Sequence, residues 1–345
     1  MRRIILLLTL SAVMVSMAAA VHKTAKTKKR KPAKTVQTAP PRPDEWALVN
    51  VAAACLRTEP SHASQLETQA SYGTPAKILD RHGEWLRLEL PDGYKAWMIG
   101  SSLIEKTPQE IDRWRESPRL IVTQPRPAAA FSDSLNTSDG NIAFDIVLGS
   151  IFEGNKTPGS RFTGVKLPDG RTAFVNSDYV EDFSTWSKRP PEIDTIMNVA
   201  RSMTGVTYLW GGTTPKAVDC SGFTKLAFGA AGLILPRNAS DQALTGETLD
   251  PANTDAFRQG DLLFFGSGTG TNITHVGIYD GFSRFIHASG RVFESSFKPG
   301  HPLYIPRKVI GAARILGNNA PKGITPYSAH PWYFNYYCPL NFRED

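Results

Sequence analysis

The chain has 345 residues, of which 41% are hydrophobic and 21% charged, a composition that excludes a wholly disordered or fibrous protein. At about 100–200 residues per domain, this length predicts two or three domains. The formal net charge is +7, but residues 1–34 hold nine Lys or Arg and no acidic residue, which leaves −2 for residues 35–345. This distribution argues against a nucleic-acid-binding protein with a basic face.

Residues 1–20 are predicted to be a signal peptide. Arg2 and Arg3 form a positive start, an apolar run follows, and three alanines offer a cleavage site. A membrane anchor is the less favoured alternative, because the apolar run is shorter than the ~20 residues that span a bilayer. Residues 21–45 form a basic, proline-rich linker. We therefore expect an exported protein, periplasmic or elsewhere in the cell envelope or outside it, without stable membrane insertion after signal cleavage.

An internal repeat follows the linker. Residues 91–98 and 168–175 share a Pro-Asp-Gly turn after an alternating strand, and each copy ends a segment rich in short strands. These segments, at 46–106 and 119–183, are predicted to be two small all-β barrels. They resemble the SH3-like domains of bacterial cell-envelope proteins.

The pattern changes at residue 190. Apolar residues at helical spacing predict a helix from Ile193 to Met203 and a second helix between Asp219, placed to cap it, and Gly232, placed to end it. Four strand-like runs come next, at 262–265, 273–280, 284–288 and 309–315. Helices grouped before strands predict an α+β domain with an antiparallel sheet.

Cys220 is expected at the start of the second helix, on the buried face that Phe223 and Ala227 share. The unpaired N–H groups and the dipole of a helix N-terminus favour a thiolate, although the adjacent Asp219 opposes this effect. By itself the position suits a nucleophile and a structural core cysteine equally well.

Two histidines favour the nucleophile. His275 and His287 lie on consecutive predicted strands, and Gly281 is the midpoint of their numbers. In a hairpin centred on Gly281 they would face each other with Cβ atoms ~5 Å apart, and Gly277 would leave open space beside His275. One imidazole could then accept the thiol proton while the other orients it. The alternative is a pair of structural sheet histidines.

The same Cys and His types can bind zinc. A structural zinc site needs four ligands at short spacings, and the sequence offers no evident fourth ligand. We therefore expect neither a metal nor another cofactor.

Six motifs, in this order, resemble the NlpC-type cell-wall cysteine peptidases. They are 208–212 (YLWGG), 219–223 (DCSGF), 235–237 (LPR), 260–265 (GDLLFF), 274–279 (THVGIY) and 285–289 (FIHAS). The resemblance implies a papain-like α+β catalytic domain over 190–317, and two preceding barrels resemble those of γ-D-glutamyl-L-diamino acid endopeptidases. It also implies that Cys220 is the nucleophile, His275 the base and His287 the orienting third member.

The resemblance implies substrate-binding roles as well. Tyr208 matches a tyrosine that polarises the scissile carbonyl, Asp219 and Ser221 match positions that hold the substrate amine and peptide, and Tyr94 matches a barrel tyrosine facing the groove. One departure is Gln65, where related barrels often carry a glutamate that attracts the amine. The nearby Glu67 could replace that charge, but the alternation of side chains along the strand does not decide whether it does.

Two further features concern the cysteines and the C-terminus. Three cysteines cannot form a disulfide framework, although Cys55 and Cys338 could pair. Residues 318–345 form an aromatic tail that we expect to pack on the chain itself rather than to bind a partner. The five remaining histidines, His330 among them, are expected at the surface.

The function that the resemblance predicts is hydrolysis of the γ-D-glutamyl–diamino acid bond in peptidoglycan stem peptides of the form L-Ala-γ-D-Glu-diamino acid, with a free N-terminal L-Ala. Two alternatives stay open. One is a non-catalytic wall-binding protein, and the other is an acyltransferase or amidase that uses the same Cys-His-His site.

Overall fold

The computed structural model describes residues 45–135, 138, 141–266, 272–317 and 322–335. The predicted signal peptide, the linker up to residue 44 and Cys338 lie outside the described residues. No helix in the described part of the chain is both long and apolar enough to cross a membrane.

The first barrel is a seven-stranded antiparallel sheet with the strand order β3-β2-β6-β5-β4-β1-β7. Its strands are β1 (Trp46–Val49), β2 (Ala54–Arg57), β3 (Leu66–Ala70), β4 (Pro75–His82), β5 (Trp85–Glu89), β6 (Lys95–Ile99) and β7 (Leu103–Lys106). Alternate side chains of these strands, such as Leu56, Leu88 and Met98, fill its core.

The second barrel repeats this topology with the order β10-β9-β13-β12-β11-β8-β14. Its strands are β8 (Arg119–Val122), β9 (Ala128–Phe131), β10 (Ile142–Ile146), β11 (Ile151–Glu153), β12 (Phe162–Lys166), β13 (Thr172–Asn176) and β14 (Val180–Asp182). Gly93 and Gly170 occupy the left-handed region, with φ of 79° and 89°, in the same turn of each barrel. The sequence repeat is therefore a duplicated fold.

The C-terminal part combines helices with an antiparallel sheet. The α-helices of the described residues are α1 (Pro108–Glu116), α2 (Phe183–Ser187), α3 (Ile193–Ser202), α4 (Cys220–Ala230) and α5 (Ala239–Gln242). The remaining strands are β15 (Thr213–Thr214), β16 (Ala217–Val218), β17 (Leu233–Ile234), β18 (Glu247–Leu249), β19 (Leu262–Gly266), β20 (Ile273–Gly281), β21 (Arg284–Ser289), β22 (Arg291–Ser296), β23 (Val309–Arg314) and β24 (Thr325–Pro326). The main sheet has the order β18-β23-β19-β20-β21-β22, and α3 and α4 pack on one of its faces.

The hairpin that carries the two histidines has a different register from the predicted one. Gly281 pairs with Arg284, and the two-residue turn is Phe282 and Ser283, whose φ angles of 53° and 62° are both left-handed. His287 therefore lies opposite Gly277 and not opposite His275. The error arose because we placed the turn on the glycine, whereas two non-glycine residues form it. A shift of two positions preserves side-chain parity, so both histidines still share one face.

A cluster of buried side chains joins the barrels, the α+β domain and the C-terminal segment. This junction cluster consists of Trp46, Leu48, Ile111, Trp114, Ile121, Ile151, Phe183, Trp186, Ile234, Tyr333 and Phe334. Phe334 stacks on Phe183 with ring centroids 5.1 Å apart and an interplanar angle of 13°. The prediction that the aromatic tail packs on the chain is thus confirmed for residues 322–335.

His330 corrects the expectation that it lies at the surface. It is buried at 8% exposure, and its Nε2 lies 2.9 Å from the carbonyl oxygen of Pro91 in the first barrel. The C-terminal segment thereby contacts the turn that precedes Tyr94.

The junction cluster should contribute measurably to stability. We expect Phe334→Ala to lower the free energy of unfolding by about 3 kcal/mol, because it leaves a cavity among aromatic rings. Phe282→Ala is the matched control, since that side chain is 86% exposed; it should change stability by less than about 0.5 kcal/mol. Urea unfolding followed by fluorescence measures both, and equal losses would contradict the packing role of the tail.

Candidate active site

The turn before α4 sets the position of Cys220, the first residue of the helix. Asp219 is the N-cap, and its Oδ1 accepts the backbone N–H of Gly222 at 2.7 Å, as the sequence predicted. A Cβ atom at Gly222 would lie 2.0 Å from the carbonyl oxygen of Gly212, so only glycine fits there. The helix start is therefore held against the loop that carries Tyr208.

The Cys220 side chain is buried in the core cluster that also contains Val276 of β20. The backbone N–H groups of Val276, the residue after His275, and of Ser221 act on the Cys220 sulfur and lower the pKa of the thiol. Burial, followed by the charge of Asp219, raises the pKa of the Cys220 thiol, and the two N–H groups and Arg237 oppose this rise. The net direction is opposite to the effect expected from the helix N-terminus alone, because desolvation outweighs it.

The two imidazoles are in direct contact. Nε2 of His275 lies 2.7 Å from Nδ1 of His287, and Nε2 of His287 lies 2.9 Å from the hydroxyl of Ser295. These hydrogen bonds fix the orientation of the His275 ring, so His287 is placed as an orienting residue. Among the described residues, no hydrogen bond joins the Cys220 sulfur to either imidazole. Such contacts often tighten only when substrate is bound.

Ser295 was missed by the sequence analysis. It lies on β22, a strand that was not predicted because its polar residues interrupt the apolar pattern.

Gly277 also differs from expectation. A Cβ atom there would meet Phe285 at 2.8 Å and the Cβ of His287 at 3.2 Å, so the space beside Gly277 is filled and not open. The missing side chain allows His287 to approach β20.

Both histidines are neutral at neutral pH. Burial, followed by the charges of His287 and Arg307, lowers the pKa of His275 to about 3. Burial and the charge of Arg307 lower the pKa of His287 to about 4. A neutral imidazole keeps a nitrogen lone pair, and this is the form of histidine that can accept a thiol proton.

Asp219 and Ser221 have partners within the chain. The Asp219 carboxylate forms a two-pronged ion pair with the buried Arg237 and also accepts the N–H of Gly211 at 2.9 Å. The Ser221 hydroxyl accepts from Arg237 at 2.9 Å. The Asp219 charge is therefore balanced by Arg237.

Tyr208 stands near the thiol in the loop before α4. It is half-buried, and its backbone N–H donates to the carbonyl of Gly290. Burial, followed by the charges of Cys220 and Asp219, raises the pKa of Tyr208 to about 12. Its hydroxyl therefore keeps its proton and remains a hydrogen-bond donor.

The first barrel reaches the α+β domain through its edge strand β3. The Thr213 hydroxyl accepts the N–H of Gln69 at 3.1 Å and donates to the Gln69 carbonyl at 2.9 Å. Arg237 donates from Nε to the carbonyl of Glu67 at 2.9 Å. The guanidinium that binds Asp219 thus also holds the barrel strand.

Tyr94 and Glu67 form a polar pair at this contact. The Tyr94 hydroxyl donates to the Glu67 carboxylate, and burial and Glu67 raise the pKa of Tyr94 well above its ordinary value. The Gln65 amide donates to the other Glu67 oxygen at 3.1 Å. The acidic group beside the tyrosine is therefore Glu67, which the sequence analysis had left undecided.

A cavity of about 510 Å³ lies elsewhere, between α3, α4 and the barrels. It includes Lys225 and Asp92, whose charges pair at 3.0 Å, but none of Cys220, His275 and His287. The described residues also contain no group of three or more His, Cys, Asp or Glu placed to hold a metal ion.

The neutral histidines should make stability depend on pH. Their folded pKa values lie below the ordinary 6.5, so the unfolded chain binds more protons once the pH falls below 6.5. Stability is then fully present above pH 6.5 and is lost towards pH 4, by about 2 kcal/mol per histidine at pH 5. A His275→Gln/His287→Gln variant should show a flatter profile in urea unfolding at pH 5–7, and His82→Gln, at an exposed site, is the control. Parallel profiles for all three proteins would contradict this.

Comparisons with known proteins agree with this architecture. The NlpC/P60 family pattern matches residues 205–305, and the pattern of the bacterial dipeptidyl-peptidase Sh3 domain matches residues 56–103. A gamma-D-glutamyl-L-lysine dipeptidyl-peptidase of Bacillus cereus is 27% identical over 238 residues, covering 66% of this chain and 68% of that protein. Dipeptidyl-peptidase 6 of Lysinibacillus sphaericus is 25% identical over 273 residues, covering 75% of this chain and 94% of that protein.

A solved structure has the same fold. The crystal structure of an NlpC/P60 family protein from Bacillus cereus superposes with a TM-score of 0.67 at 24% identity, covering 79% of this chain and all of that one. The predicted fold class, a papain-like α+β domain after two small SH3-like barrels, is confirmed. This chain therefore contains an NlpC/P60 domain preceded by a bacterial dipeptidyl-peptidase SH3 domain.

Proposed function

We propose that the protein is a cysteine peptidase that hydrolyses the γ-D-glutamyl–diamino acid bond of peptidoglycan stem peptides. The observation that carries the proposal is that Cys220, the first residue of α4, is buried in one cluster with Val276, the residue after His275, while His287 and Ser295 form a hydrogen-bonded chain with that imidazole. The similarity to peptidases named for γ-D-glutamyl-L-lysine substrates supports the choice of bond.

In the first half-reaction His275 accepts the Cys220 proton as the sulfur attacks the γ-carbonyl carbon of D-Glu. The first N–H groups of α4 lack intrahelical acceptors, and with the Tyr208 hydroxyl they stabilise the negative charge on the carbonyl oxygen. His275 then returns the proton to the amine of the diamino acid, which leaves as the C–N bond breaks. A thioester between Cys220 and the acyl group remains.

In the second half-reaction a water molecule gives a proton to His275 and attacks the thioester. The carbon–sulfur bond breaks, L-Ala-γ-D-Glu is released, and His275 returns its proton to the Cys220 sulfur. His287 acts throughout as a positioning residue, because its Nδ1 holds Nε2 of His275 and so leaves Nδ1 of His275 for the proton transfer.

Glu67 and Tyr94 suit the recognition of a free N-terminal amine. A carboxylate and a phenol oxygen supply acceptors for an ammonium group, and both belong to the barrel strand and turn held at the catalytic domain by Arg237 and Gln69. Asp219 is the less suitable partner for the amine, because Arg237 already balances its charge. Glu67 thus takes the place of the charge that Gln65 lacks.

We also propose that the enzyme acts in the cell envelope, where these peptides occur. The support is the predicted signal peptide at residues 1–20, and export stays a prediction.

Removal of the thiol should abolish hydrolysis. With L-Ala-γ-D-Glu-diaminopimelate as substrate, we expect Cys220→Ala to lower kcat by at least about 10⁴-fold, because no other group can form the thioester. Cys55→Ala is the matched control and should keep normal activity, since the one hydrogen bond of the Cys55 thiol with a described residue is to the Gln69 amide at 3.9 Å. Chromatography of the released L-Ala-γ-D-Glu measures both. Equal turnover by Cys220→Ala and the unmodified protein would refute the enzyme, and absence of turnover with bound peptide would favour a wall-binding protein.

The amine site has its own test. We expect acetylation of the L-Ala amine, or Glu67→Gln in the protein, to lower kcat/KM by about 10- to 100-fold, because each removes one charge of the same pair. The two losses should not multiply when combined. Glu89→Gln, on the same barrel, is the control. Undiminished cleavage of the acetylated peptide would rule out the requirement for a free amine.

A further inference from the structure

Arg307 lies beside the catalytic centre on the segment before β23. Phe265 pairs with His275 on one side and with Val309 on the other, so these three residues form one row across the sheet. Phe265 and Val309 share the buried cluster on the face opposite α4. Arg307 precedes Val309 by two residues, which places it near the end of the row that His275 occupies.

The charge of Arg307 reaches the reacting groups. It lowers the pKa of His275 and of His287, and it also acts on Tyr208. Arg237 acts on both Tyr208 and Tyr94.

The Arg307 guanidinium has no partner within the part of the chain that the structure describes. It is half-buried, and it forms no hydrogen bond or ion pair with residues of the described ranges. Partial burial of an unpaired cation is unfavourable, and a planar guanidinium is suited to bind a carboxylate through two hydrogen bonds. Arg237, the other cation at the centre, already binds Asp219, Ser221 and the Glu67 carbonyl.

We propose that Arg307 binds a carboxylate of the substrate and so determines specificity for peptides that are anionic next to the scissile bond. The inference rests on the proposed function. Such a substrate offers two carboxylate sources on either side of the bond: the α-carboxylate of D-Glu and a carboxylate of the diamino acid. Glu67 binds the ammonium group of the substrate and Arg307 binds its carboxylate, so the groove carries one negative and one positive side chain.

The test combines variants with amidated substrates. Arg307→Gln should lower kcat/KM for L-Ala-γ-D-Glu-diaminopimelate by about 10- to 100-fold, the usual effect of a lost charge-assisted pair. Arg307→Lys should recover part of the lost kcat/KM, because lysine keeps the positive charge but lacks the planar guanidinium that binds a carboxylate through two hydrogen bonds. Lys308→Gln, the exposed neighbour, is the matched control and should leave kcat/KM unchanged. Melting temperatures of all variants check folding.

Two substrate analogues identify the carboxylate. One carries an α-carboxamide on D-Glu, and the other carries carboxamides on the diamino acid. Amidation of the carboxylate that Arg307 binds should lower kcat/KM of the unmodified enzyme as much as Arg307→Gln does. In the Arg307→Gln variant the same amidation should change kcat/KM by less than about threefold. Normal kcat/KM in Arg307→Gln, or equal losses in both proteins with both analogues, would overturn the inference.

A binding measurement separates this inference from the proposed function. Calorimetry with the tripeptide compares Cys220→Ala with Cys220→Ala/Arg307→Gln, and we expect weaker binding by the second protein. Absence of cleavage by the unmodified enzyme refutes the proposed function alone. Equal affinity of the two variants, or no binding by Cys220→Ala, refutes the role of Arg307.

Discussion

The ion pair between Asp219 and Arg237 connects the start of α4, the loop that carries Tyr208 and the first barrel. The Asp219 carboxylate caps α4, binds the N–H of Gly211 in the loop after Tyr208, and receives two prongs of the guanidinium. The same guanidinium holds Ser221 and the carbonyl of Glu67. Loss of either partner would leave an uncompensated buried charge, at a cost of about 3–5 kcal/mol. The nucleophile, the Tyr208 loop and the barrel strand therefore depend on one buried pair.

The barrel contributes to the site and does not merely accompany it. Its edge strand β3 is bound to Thr213 by hydrogen bonds of both backbone and side chain of Gln69, which also satisfy exposed edge groups that could otherwise pair with another chain. Behind it, the junction cluster and the His330 contact with Pro91 brace the turn that carries Tyr94. The second barrel repeats the fold of the first and supplies part of that support.

Local signals explain which elements were predictable. Helices α3 and α4 have strong apolar periodicity, and the Asp219 cap and the Asp-Gly turns have specific side-chain chemistry. Helix α1 was not predicted, although Thr107 and Glu110 form a capping box that its sequence does contain. Strand β22 has no such signal, so neither the strand nor Ser295 on it was predicted. The hairpin register failed because Phe282 and Ser283 adopt left-handed φ angles although neither residue is glycine.

The sequence alone determined helices α3 and α4, the duplicated barrel and the presence of Cys220, His275 and His287 on elements that could bring them together. These follow from periodicity and turn chemistry, which act over a few residues. Only the tertiary structure decided that the Ser295 hydroxyl binds His287 and that Glu67, not Gln65, is the partner of the Tyr94 hydroxyl. It also decided that Arg237 balances the charge of Asp219. Arg307 has no partner among the described residues. Those facts join residues from different domains or strands, and contacts between segments distant in the chain depend on how whole elements pack.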